Sequence, residues 1–307
     1  GVIHRPLMNP PPSSALKHLH PGWFLPVLAV GGLALAWLEA APLFGDLAGA
    51  GALVLAAAAG GAALVLAVAS LVRWQRFPQA LADDLKHPVR HAWAAAMPTA
   101  LVLLASLGAA LLGPNPWLGG LWAVGSAWHF WVAAWMWGRW LRPGATGASF
   151  WAGATPILWM AVTGLCLAPL AGPGLGFEAM ALAQLGVGAL LGALTLGLLA
   201  VRLATSGVWS ERVLPTLFLG GAPPAVVGLV AAQSVGSLAW AWAAWGIALF
   251  ALLWSGAVLR RVLAQPIGLT FWAPAVSLAL FAALSLRLAP TAGGLFQTFA
   301  LLTLAVA

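Results

Sequence analysis

The chain has 307 residues, of which 63% are hydrophobic and 6% charged, with 13 Lys and Arg against 6 Asp and Glu. A soluble domain carries roughly 25% charged residues, so this composition excludes a soluble fold and indicates an integral membrane protein. The net charge of +7 therefore reads as orientation in a bilayer rather than as nucleic-acid binding.

Residues 1–20 are polar and proline-rich and contain no apolar h-region. They read as a short cytoplasmic arm rather than a cleavable signal peptide. Residues 21–307 read as one transmembrane domain of ten apolar spans, at about 22–38, 50–72, 92–112, 117–138, 150–171, 178–201, 213–232, 236–259, 268–289 and 292–307. Most are about 20 residues long, or ~30 Å at the helical rise, which matches a hydrocarbon core. With 19 tryptophans and no tyrosine, tryptophan has to supply the aromatic belt at the membrane interfaces. The single cysteine, Cys166, lies in an apolar run. It excludes an intrachain disulfide or a cysteine metal cluster and is expected to be inert.

The basic residues give the orientation. With the N-terminus inside, the cytoplasmic segments hold Arg5, Lys17, Arg73, Arg76, Lys86, Arg90, Arg139, Arg142, Arg202, Arg212, Arg260 and Arg261, leaving only Arg287 outside. The positive-inside rule then favours an even number of spans with both termini cytoplasmic.

The prolines divide the spans. Spans 1, 3, 5, 7 and 9 contain Pro26, Pro98, Pro156, the pair Pro223 and Pro224, and Pro274, whereas the even spans carry none in their interiors. Membrane helices are richer in proline than soluble ones, but that enrichment does not produce strict alternation. Proline kinks a helix, and irregular backbone inside a membrane is tolerated where it faces a cavity. The expected fold is all-α: ten transmembrane helices in five helical hairpins, with the kinked odd helices forming an inner ring around a central pore. The even spans are rich in tryptophan and small residues. Examples are Trp122, Trp128, Trp131, Trp135 and Trp137 in span 4, and the alanine- and glycine-rich run of span 2. They suit lipid and subunit contacts.

No nucleotide-binding loop, catalytic triad or metal-ligand cluster is visible, so the chain reads as a non-enzyme without cofactor or metal. His129 is the only histidine well inside a span and has neither the ionisable chain of a proton relay nor a second histidine at matching depth for a haem. It is expected to hydrogen-bond between outer helices. Arg287 and Glu39 fall near the external ends of inner helices, where they either pair or snorkel.

Three connecting segments add a resemblance: RWQRFPQALADDLKHPVRHAW after span 2, RLATSGVWSERVLP after span 6 and AQPIGLTFW before span 9. In their order and placement they resemble the tellurite-resistance/dicarboxylate transporter family, which includes the bacterial TehA proteins and the plant guard-cell slow anion channels. The resemblance extends over essentially the whole chain. It implies a homotrimer in the inner (plasma) membrane, each protomer conducting small anions such as chloride or nitrate through its own pore. The alternative it leaves open is a secondary transporter or exporter of dicarboxylates or of oxyanions such as tellurite. The motif residues Arg76 and His87 would organise the loop between spans 2 and 3, with Arg90 beside them at the cytoplasmic mouth.

Relatives plug the pore with a phenylalanine four residues after the tryptophan of the FW pair. Here the sequence is FWAPAV, which puts Val276 at that position. Phe24, Trp159, Phe218 and Phe281 are the alternative plugs, with Phe24 and Trp159 nearest the kinks.

Overall fold

A computed structural model describes residues 15–234 and 236–307; Arg5 and most of the expected N-terminal arm lie outside them. Among the described residues the chain is helical, with no strand. Ten principal helices follow one another: α1 (Pro21–Glu39), α2 (Asp46–Arg76), α3 (Arg90–Leu112), α4 (Pro116–Gly138), α5 (Pro156–Ala171), α6 (Glu178–Ser206), α7 (Leu214–Gln233), α8 (Leu238–Gly256), α9 (Leu269–Thr291) and α10 (Gly294–Val306). Seven of these are long and apolar enough to cross a membrane, or eight if α5 is joined to the short helix Gly147–Gly153, from which it bends by 65°. The bend falls just before Pro156, where the sequence places a kink in the fifth span. Thr155 precedes a proline and takes extended backbone, φ −121° and ψ 157°, because the proline ring disfavours the helical region for the residue before it. In α4 the tryptophans, glycines and His129 dilute the apolar character, and α10 has only 13 residues.

The odd helices share one construction. Each opens as a 3₁₀ turn and then relaxes into an α-helix: Pro21–Phe24 before Leu25–Glu39, Arg90–Ala95 before Ala96–Leu112, Pro156–Leu158 before Trp159–Ala171, Leu214–Gly221 before Ala222–Gln233, and Leu269–Phe271 before Trp272–Leu288. Pro26, Pro98, Pro223, Pro224 and Pro274 fall within the first turn of the α-segments, and Pro156 opens its 3₁₀ turn. Outside α5, where the chain does bend, the expected kinks are replaced by this change of winding at the start of each α-segment. The first backbone N–H groups of an α-segment lack α-helical partners, so a proline there sacrifices little. One proline does lie in an α-segment interior, the buried Pro169 of α5, which the odd-span pattern left out.

Packing separates two layers. In α1, α3, α7 and α9, 61%, 56%, 72% and 61% of the apolar window is buried within the protein, against 17%, 22% and 28% in α2, α6 and α8. Each odd helix packs on its odd neighbours, and the succession closes with α9 against α1; each even helix packs on the odd helix before it. Small residues permit these approaches. A Cβ on Gly31 would press on Leu103 of α3, and one on Gly32 would lie 3.2 Å from Cβ of Ala279 on α9. The outward faces of α2 and α6 expose Leu53, Val54, Leu64, Val65, Leu190 and Leu196, as lipid contact requires.

Candidate functional site

The inner faces of α1 and α9 are defined by their neighbours. Successive residues of an α-helix turn by about 100°. On α9, Leu280 reaches toward Gly32 of α1, and Ser277 and Leu284 toward Gly221 and Gly228 of α7. The Phe281 ring stacks on Trp245 of α8, centroids 5.7 Å apart, and Trp245 Nε1 donates to Ser285 Oγ at 3.0 Å. The face turned away from α8 therefore holds Val276, Leu280, Ala283 and Arg287, spaced i, i+4, i+7 and i+11. On α1, Trp37 lies against Gly51 of α2. The opposite face holds Leu28, Leu35 and Glu39. Leu28, Leu35, Val276 and Leu280 are all buried, at 5% exposure or less, so apolar side chains fill this interface.

The alternative plug residues lie elsewhere. Phe24 is buried in the wall of two apolar crevices, of about 280 and 510 Å³, between α2 and the α3–α4 pair. Phe281 is stacked on Trp245 and meets Phe299 edge-on, both on outer helices. Phe218 is buried in the 3₁₀ turn of α7. Trp159, half-buried, places its indole nitrogen 3.3 Å from the position of a Cβ on Gly220 and packs beside Trp209 and Leu217.

The loop end that carries the basic residues is built around a buried carboxylate. Arg73 Nη2 donates to Asp84 Oδ2 at 2.6 Å, with both side chains at 7% exposure or less, and Arg90 Nε lies 3.1 Å from Asp84 Oδ1. Arg73 Nε also donates to the Lys17 carbonyl oxygen at 3.1 Å. Asp84 is the group that ties α2, the short helix Pro78–Lys86 and the start of α3 together. The available signal was its position between two arginines in a chain where charge is otherwise scarce. His87 Nδ1 accepts from the Val89 and Arg90 N–H groups at 3.1 Å each. Burial and then the neighbouring Arg90 charge lower its pKa below the usual histidine value, with Asp84 opposing them. Arg76, the other motif residue, is exposed. Arg139 donates to the Leu85 carbonyl oxygen and stands over the Trp135 ring, 5.5 Å from its centroid.

At the opposite end, Arg287 Nη1 donates to Glu39 Oε2 at 3.4 Å, joining α9 to α1. Inside the bundle, His129 Nε2 donates to the Ala161 carbonyl oxygen at 2.6 Å, and its Nδ1 lies 3.2 Å from Thr99 Oγ1. His129 thus links α4 to the inner helices α3 and α5, not to another outer helix. No group of three His, Cys, Asp or Glu side chains suited to a metal occurs among the described residues.

The family model described as SLAC1, voltage-dependent anion channel, matches residues 18–307. No curated protein matches the chain.

Proposed function

The chain belongs to the voltage-dependent anion channel family, and from that premise we propose that it conducts small anions such as chloride or nitrate passively. The pathway runs within each protomer, between the odd members of ten membrane-spanning helices, from residue 21 to residue 307. The observation that carries this reading is the closed succession of α1, α3, α5, α7 and α9 contacts, combined with inner faces that hold no charged side chain between their ends. Without a fixed charge in mid-membrane, an anion binds weakly enough to leave. The inner helix ends and 3₁₀ turns, at Pro26, Pro98, Pro156, Pro223, Pro224 and Pro274, supply backbone dipoles instead of charges. Val276 and its buried neighbours form an apolar constriction that excludes ions by dewetting until the helices separate. Arg76, Arg90 and the other loop cations raise the local anion concentration at the cytoplasmic mouth. The protein is read as a homotrimer of the inner membrane with both termini cytoplasmic.

A second reading is a secondary transporter for dicarboxylates or oxyanions such as tellurite. The same filled inner face supports it, because a closed axis also fits one state of an alternating-access cycle. Reconstitution into planar bilayers separates the two. A channel gives anion currents that reverse at the anion Nernst potential; strict coupling to protons or sodium overturns the channel reading.

A further inference from the structure

We propose that Arg287 is an anion-docking site at the outer mouth, and that Glu39 is the intramolecular occupant an arriving anion displaces. The inference deepens the reading above, since it assumes that anions pass between the inner faces of α1 and α9. Three observations carry it.

The first is position. Arg287 shares the Val276 face of α9, and Glu39 shares the Leu28 face of α1. From Ala273 to Ala289, Arg287 is the only exposed residue. Its side chain is 41% exposed and that of Glu39 17%. The inner faces therefore open to water at this end, and the guanidinium stands in the opening.

The second is charge. Among the described residues, eleven of the twelve Lys and Arg belong to the other end, while Glu39, Asp46 and Glu178 lie at this one. Without Arg287 the outer mouth would carry only carboxylates and would repel the ion to be conducted.

The third is the contact itself. One nitrogen of Arg287 meets one oxygen of Glu39 at 3.4 Å, and this is its only side-chain hydrogen bond among the described residues. A guanidinium has five N–H donors in a planar fork, a shape that suits planar or tetrahedral oxyanions in two-point contact. Arg287 is exposed and Glu39 half-buried; a single-contact pair at the open end of the bundle holds its partners by about fivefold, so millimolar anion can compete with it. The ligand class is a small monovalent anion, with nitrate favoured over chloride.

The test titrates sodium nitrate into the purified full-length protein, replacing sodium gluconate at constant ionic strength, and follows the thermal midpoint. Nitrate flux into liposomes is measured in parallel. Glu39→Gln should lower the half-saturating nitrate concentration about fivefold. Arg287→Gln should remove the nitrate dependence. Arg287→Lys should retain it but lose the preference for nitrate over chloride, and this variant decides the matter if Arg287→Gln does not fold. A half-saturating nitrate concentration unchanged in Glu39→Gln, or a preference for nitrate over chloride unchanged in Arg287→Lys when chloride is titrated in the same way, overturns the proposal, whatever the flux. Absent flux with the predicted binding pattern instead removes the conduction reading and leaves the docking site standing.

Discussion

The imidazole of His129 occupies the space that a Cβ on Gly164 would need. Ring atoms of His129 lie closer to that position than real Cβ contacts allow, and the ring is held there by the Ala161 carbonyl oxygen. Gly164→Ala must therefore displace either the helix or the histidine. Overpacking of this kind costs about 1–3 kcal/mol, with the loss of the buried hydrogen bond added to it. A thermal-melt series in detergent should show this destabilisation. The double variant Gly164→Ala, His129→Ala should lose less than the sum of the two single changes, because removing the ring makes room for the methyl group.

Such a pair is invisible to sequence reading, since nothing in the chain relates position 129 to position 164. The layered helix plan was legible. Proline and charge alternate with the spans, and burial in the fold follows the same division into odd and even helices. The 3₁₀ openings were only half legible: proline marks a break in regular hydrogen bonding but does not say whether the backbone bends or changes its winding. Phe24 and Phe281 are candidate plugs as aromatic residues of inner spans, but residue type does not say which way a side chain points. Their outward direction is set by Trp245, Phe299 and the α2 crevice, contacts between segments far apart in the chain. Val276 was found only through a resemblance of motif, as its own residue type is ordinary for a buried helix.

Asp84 should be the least replaceable acidic residue. It answers two arginines, and Arg73 is as buried as Asp84 itself. Asp84→Ala leaves the Arg73 guanidinium without its counter-charge in a site closed to water. Breaking a buried pair from one side costs about 3–5 kcal/mol. Asp83→Ala, one residue away on an exposed side chain, should change the midpoint little. Comparing the thermal midpoints and membrane yields of the two variants checks the prediction. Equal loss in both would mean that the pair does not hold the α2–α3 connection.

The same connection should be sensitive to acid. The Nδ1 of His87 accepts two backbone N–H groups, which is possible only while that nitrogen is unprotonated. Its folded-state pKa is lowered, first by burial and then by Arg90, and that of His20 is lowered chiefly by burial. A lowered histidine pKa means that the unfolded chain binds the proton more readily. The stabilisation is fully present above the ordinary histidine value and declines as pH falls through that value toward the folded ones. The thermal midpoint should accordingly drop below about pH 6.5. His87→Asn, whose side-chain oxygen can accept from the same N–H groups, should reduce the slope in that window. An unaltered slope would assign the effect to other groups.

Val276→Phe tests the constriction directly. Val276 lies on the face of α9 turned from α8, at 2% exposure, and shares that face with Leu280 and Arg287. A phenylalanine there enlarges the apolar barrier without adding charge, so anion flux into liposomes should fall by about tenfold, equivalent to ~1.4 kcal/mol of added barrier. Val276→Ala should raise it by removing part of the dewetted surface. Phe281→Leu is the matched control. It sits on the opposite face, stacked on Trp245, so it should lower the thermal midpoint while leaving flux per folded protein unchanged. If Val276→Phe conducts as the wild type does and Phe281→Leu does not, the conducting face of α9 is the one toward α8, and the register that places Val276 and Arg287 on a single pathway is wrong.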